Sequence, residues 1–93
     1  MRIEVEIGFS FKRSLDGAYR WLDLPETADV DAAIRAWADR YPHVKPRLLN
    51  EDGEIRRNVN ALINGENVTL RDGFGTALEA GDRLTLLPPV GGG

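Results

Sequence analysis

No cysteine occurs in the sequence, and His43 is its single histidine. The first absence excludes disulfides, thiolate nucleophiles and zinc–thiolate sites within the chain. The second leaves one imidazole, and its place directly after a helix-ending proline reads as a surface position rather than a ligand or base. An excess of positive charge is also missing. Twelve basic residues are spread among fifteen acidic ones for a formal net charge of −3, so no basic field is available to hold nucleic acid or an anionic membrane. No apolar run approaches the roughly 20 residues of a membrane span, and nothing at Met1 has the pattern of a signal peptide. Ninety-three residues, 42% of them hydrophobic and 29% charged, are enough for one small core and no second one. A single cytoplasmic domain is the expectation.

What is present is patterned. From Arg2 to Phe9 the residues alternate, with Ile3, Val5 and Ile7 on one face and Arg2, Glu4 and Glu6 on the other, as in a half-buried strand. Asp16-Gly17 marks a turn. Ala18 to Leu24 then returns as a second strand, closing a hairpin with a long loop over Ser10 to Asp16. Pro25 ends that strand. Asp29 or Thr27 is placed to cap a helix whose apolar residues Val30, Ala33, Ile34, Trp37, Ala38 and Tyr41 follow one helical face. Pro42 stops it, and Pro46 to Leu49 has room for one short turn.

The second half reads as short strands. Ile55 to Ile63 places Val59, Ala61 and Ile63 on one face and Leu62 on the other. Asn64-Gly65 is a strong hairpin-turn signal, which predicts that Val68 to Leu70 pairs back. Arg83 to Leu87 is a last strand, closed by Pro88-Pro89, which cannot donate ladder hydrogen bonds. One amphipathic helix must pack on this sheet, giving an α+β fold with helix on sheet. A parallel pairing of the first and last strands fits that order. Ile3, Val5, Ile7, Ile34, Trp37 and Leu86 are the expected core.

Side chains suited to catalysis do not assemble in the sequence. Glu51, Asp52 and Glu54 lack the alternating spacing of a calcium loop and read as a solvated turn. Gly73-Phe74-Gly75 lacks the strand-to-helix setting of a dinucleotide fingerprint, and Asn67-Val68-Thr69 matches a glycosylation acceptor that a chain without a secretion signal leaves unused. Trp21 and Trp37 suit packing or partner contact better than cofactor binding.

The end of the chain, Leu-Leu-Pro-Pro-Val-Gly-Gly-Gly, is different. A strand delivers it, two prolines fix φ at the exit, and after Val90 no side chain remains. Glycine without a Cβ passes through narrow channels and adopts conformations closed to other residues. A stiff exit and a slender thread suit the delivery of a terminal carboxylate into another protein's active site. That carboxylate becomes an acyl donor once adenylation by ATP makes its oxygen a leaving group. Sulfur then yields a thiocarboxylate, and an amine yields an amide.

Asn58-Val59-Asn60, Ile63-Asn64-Gly65, Thr76-Ala77-Leu78, Gly81-Asp82 and the run Leu84 to Val90, followed by Gly92-Gly93, resemble the successive signatures of the MoaD/ThiS-type sulfur-carrier proteins. The resemblance is densest in the C-terminal half. Its long first hairpin is similar to those of the carriers of cysteine synthesis and of archaeal ubiquitin-like modifiers. It implies a β-grasp (ubiquitin-like) fold, a mixed sheet packed on one main helix over residues 1–90, with residues 91–93 as a flexible glycine tail. It also implies a carrier rather than an enzyme, binding no cofactor itself. An E1-like adenylating enzyme would use MgATP to activate Gly93 within the Gly92-Gly93 pair, and a sulfur donor would complete the thiocarboxylate. An acceptor synthase or thiolation enzyme would then take the sulfur, for molybdopterin, cysteine, thiamine or transfer RNA; the sequence does not choose among them. Phe74, Leu87, Pro88, Pro89 and Val90 would form the docking surface, and Gly91 a spacer. A modifier joined to target lysines and a passive binding module are the alternatives.

Overall fold

Alternation alone sets the first strand, and a computed structural model of the chain, which describes residues 1–7, 21–42 and 45–87, bears it out. Strand β1 (Arg2–Ile7) buries Ile3 and Val5 and leaves Arg2 and Glu6 in solvent. Strand β2 (Trp21–Asp23) lies antiparallel to it, with Arg2 opposite Asp23 and Glu4 opposite Trp21, and buries Leu22 on the same side. Strand β5 (Arg83–Leu87) runs parallel to β1, from Glu4 opposite Arg83 to Ile7 opposite Leu86. Its other edge pairs antiparallel with β3 (Asn60–Ile63), whose neighbour is the two-residue β4 (Glu66–Asn67). The order β2-β1-β5-β3-β4 therefore puts the last strand in the middle of the sheet. The expected parallel pairing of first and last strands is present.

Helix α1 (Val30–Arg40) covers one face of that sheet. Of the two candidate caps the chain uses Asp29, whose carboxylate accepts from the Ala32 amide at 2.9 Å. Asp31 in the first turn and Arg40 in the last also suit the helix dipole. Replacing Asp29 by alanine should cost about 1 kcal/mol, within the 0.5–2 kcal/mol usual for a cap, read as a lowered denaturation midpoint at unchanged slope.

Val30, Ala33, Ile34, Trp37 and Ala38 face the sheet and meet Ile3, Val5, Leu22, Ala61, Ile63, Leu84 and Leu86, all buried. Five of the six expected core residues are thus in place; the side chain of Ile7 lies outside the described residues. Trp37 is 2% exposed and packs edge-on to Tyr41 with ring centroids 4.9 Å apart. Its indole Nε1 is buried without a hydrogen-bond partner among the described residues.

Three segments depart from expectation. Ile55 to Ile63 is not one strand. Ile55 forms an isolated bridge to Leu49, and pairing resumes at Asn60. The interruption arises because Arg56 is held by helix α2 (Lys45–Leu48): its amide donates to the Leu48 carbonyl at 2.9 Å and its Nε to the Pro46 carbonyl at 2.8 Å. Val68 to Leu70 does not pair back but forms a 3-10 turn. Asn67 accounts for this, since its side-chain oxygen accepts from both the amide and the hydroxyl of Thr69 at 2.9 Å and winds the chain there. The short return is β4 instead, after a turn in which Asn64 and Gly65 both have positive φ, 51° and 88°. Of the predicted second strand, Trp21–Asp23 is strand; Ala18 to Arg20 and the loop from Ser10 to Asp16 lie outside the described residues, as does His43.

The sum is an α+β mixed sheet on one main helix, the β-grasp arrangement that the resemblance implies. Among the described residues no helix is long and apolar enough to cross a membrane.

Candidate functional site at the end of the last strand

The middle position of β5 determines what surrounds the tail. Leu84 and Leu86 point into the core at 1% and 0% exposure, so Leu87, next in the alternation, belongs to the opposite, helix-free face. It is half-buried and stands opposite Asn60 of β3. Pro88, Pro89, Val90, Gly91, Gly92 and Gly93 follow directly and lie outside the described residues. Strands on both sides of β5 hold it through Leu86, so the base from which the tail departs is fixed by two ladders.

The helix-free face is a mixed surface. Half-buried Leu62 and Thr85 are paired across β3 and β5 beside Leu87, and Trp21, 48% exposed, stands opposite Glu4 on the far side. Charges interleave with them. The Arg83 Nε donates to Glu4 at 2.7 Å, and the Arg2 Nε to Asp23 at 3.0 Å. The hydrogen bond from Arg2 holds the Asp23 carboxyl below its ordinary pKa, and the same bond raises that of Arg2. Where β5 begins, Asn64 donates to the Asp82 carboxylate at 3.0 Å and accepts from the Arg83 amide at 2.9 Å, tying the β3–β4 turn to the last strand. Asp82 also accepts from the Glu79 amide at 2.8 Å. These bonds give the Gly81-Asp82 signature a structural task, which is to start β5 in register.

Phe74 lies elsewhere. It belongs to a 3-10 turn, Gly73–Gly75, and packs half-buried against the core beside the start of α1. There the Val30 amide donates to the Thr76 carbonyl at 3.1 Å, and Asp29 bridges Ala77. Phe74 is therefore on the helix side and Leu87 on the other; the structure does not bring them onto one face. The sequence leaves packing or partner contact open for both tryptophans; Trp37 is buried and Trp21 is exposed. Alternation with Leu22 tells which residues share a face but not how far the outer one is covered.

The acidic side chains of the described residues are dispersed. Among them no three or more carboxylates or histidines are grouped to hold a metal ion. The acids Glu51, Asp52 and Glu54 sit in a turn closed by Asn50, whose side-chain oxygen accepts from the amides of Asp52 and Glu54 at 2.9 and 3.0 Å.

Comparison with known proteins covers that tail as well as the domain. The family model described as "ThiS family" matches residues 9–93. Small archaeal modifier protein 3 of Haloferax volcanii is 33% identical over 93 residues, spanning 100% of both chains. The sulfur carrier protein CysO of Mycobacterium tuberculosis is 38% identical over 66 residues, covering 69% of this chain and 71% of that protein. The crystal structure of SAMP1 from Haloferax volcanii superposes with a TM-score of 0.80 at 30% identity, again over 100% of both chains. A ubiquitin-like β-grasp domain, a Gly92-Gly93 pair in the sequence and a match running through Gly93 lead to one assignment: the chain belongs to the ThiS family.

Proposed function

We propose that this protein is a sulfur carrier whose Gly93 carboxylate is the reacting group. The carrying observation is that the matched tail leaves the middle strand of the sheet, a strand held on both edges. An E1-like adenylating enzyme supplies MgATP. The Gly93 carboxylate oxygen attacks the α-phosphorus, pyrophosphate leaves, and an acyl-adenylate results. Hydrosulfide delivered by a sulfur donor then attacks the carbonyl carbon, AMP leaves as the C–S bond replaces the C–O bond to phosphate, and loss of a proton gives the thiocarboxylate passed to an acceptor enzyme. This chain contributes the carboxylate and its presentation. Gly92 and Gly93 let the backbone enter a narrow channel, and proline at positions 88 and 89 leaves fewer backbone conformations to be lost on binding.

Coexpression with the adenylating enzyme and sulfur donor of the source organism should add the mass difference between sulfur and oxygen, located on the C-terminal peptide. An unchanged mass beside demonstrably active enzymes overturns the reading.

A second reading, conjugation to target lysines, is favoured by the full-length similarity to a protein named a modifier. The same adenylate serves it, with an amine replacing sulfur as the nucleophile. Gly-Gly remnants on lysines in digests of cell protein distinguish it from transfer of sulfur alone.

A further inference from the structure

The chain is acidic overall, yet the ground beside the tail exit is basic. Lys45 and Arg47 lie on α2, Arg56 is fastened to that helix through the Pro46 carbonyl at 2.8 Å, and Arg57 follows. Three residues later the chain enters β3 at Asn60, directly opposite Leu87, the last residue of β5. Three residues span at most about 11 Å, so Arg57 stands within that reach of the residue facing the exit. The neighbouring acids are on the far side of the Leu49–Ile55 bridge, in the turn whose Gly53 carbonyl accepts from Arg35 at 2.6 Å. Lys45 pairs with Asp39 at 3.6 Å, both side chains exposed, a contact worth little in water. Arg56 and Arg57 make no ion pair among the described residues.

A surface flanking the exit faces whatever protein receives the tail, because the tail is short and its base is fixed. We infer that Lys45, Arg47, Arg56 and Arg57 form a steering and docking patch for an acidic surface beside the tail channel of the adenylating enzyme. The inference rests on the functional reading above. Unlike the apolar residues of the open sheet face, this patch acts at a distance. It orients the carrier before contact, and its effect falls as salt screens it.

The test compares Arg57→Glu with Arg71→Glu. Both make the same change in net charge, but Arg71 lies at the β4 side and pairs with Glu66 at 3.7 Å. Adenylation is followed as ATP–pyrophosphate exchange by the source organism's enzyme, at low and at high salt. Arg57→Glu should raise KM about tenfold or more at low salt, with kcat unchanged and the penalty shrinking at high salt, as for a charge that steers association. Arg71→Glu should change KM less than about twofold. Equal effects of the two variants, or a defect in Arg57→Glu insensitive to salt, overturn the patch while leaving the carrier reading intact. Failure of the unaltered protein to support exchange with an active enzyme overturns both. Circular dichroism of Arg57→Glu identical to that of the parent excludes misfolding as the cause.

Discussion

A chain ending at Gly91 folds with an unchanged Tm and gives no ATP-dependent modification. Both halves follow from geometry. The core is closed by Leu84 and Leu86, and β5 ends at Leu87, so removing Gly92 and Gly93 leaves every described strand and helix of the domain in the chain. The carboxylate, however, retreats by two residues, up to about 7 Å of extended chain. A displacement near 1 Å of a reacting group already costs about a hundredfold, so adenylation should fall to background. Fusing a tag after Gly93 has the same outcome, because the carboxylate becomes an amide, unless a protease restores the end. Gly92→Ala should be intermediate, since its added Cβ meets the walls of any channel shaped to bare backbone. Pyrophosphate exchange and intact mass report the loss, and thermal denaturation reports the unchanged fold. Modification or function that survives the truncation would leave a passive β-grasp binding module as the better description.

Replacing Trp37 by alanine should have the largest effect on stability. The residue is 2% exposed, is packed against Tyr41 and anchors helix α1 to the sheet. Truncation of a buried aromatic costs about 3–5 kcal/mol. A domain of this length has a total of roughly 5–14 kcal/mol at about 0.05–0.15 kcal/mol per residue. Alanine therefore removes a large share of the stability, with a fall in Tm of roughly 12–40 °C. Trp37→Phe separates packing from polarity. It shrinks the ring but also deletes the indole N–H, which is buried without a partner and carries a desolvation penalty of about 1–3 kcal/mol. Phenylalanine should therefore lose less than half of what alanine loses. Equal losses in the two variants would mean that the N–H does find a partner in solution.

Much of this was legible because burial imposes a period on the sequence. Ile3 and Val5, the helical face from Val30 to Tyr41, and Leu86 all read correctly, since each element has one covered side. The tail stands out in the sequence for the opposite reason, an absence of side chains, and the family match runs through it. What was not legible depended on contacts between segments distant in sequence or on a single side chain. Arg56 breaks a strand-like run by bonding to α2 eight and ten residues earlier, which local propensity does not contain. Val68-Thr69-Leu70 has strand-forming residues, yet one Asn67 side chain is enough to wind it. Phe74 and Leu87, both apolar and both near the C-terminal signatures, were joined into one expected surface. Their separation onto two sides is a property of the fold, not of composition.

The pairing of β1 with β5 carries a consequence for how the protein is made. The bond from Arg83 to Glu4 joins residues 79 positions apart, and the two strands form the centre of the sheet. Contacts this distant along the chain defer folding until both partners exist, which slows it relative to helical domains of similar size. On the ribosome β1 waits, unpaired on one edge, through the synthesis of every other described element. The glycine tail is translated directly after the strand that completes the sheet. On the proposed reading, the group to be activated is therefore made only after the central strand, and a product halted before Arg83 lacks both.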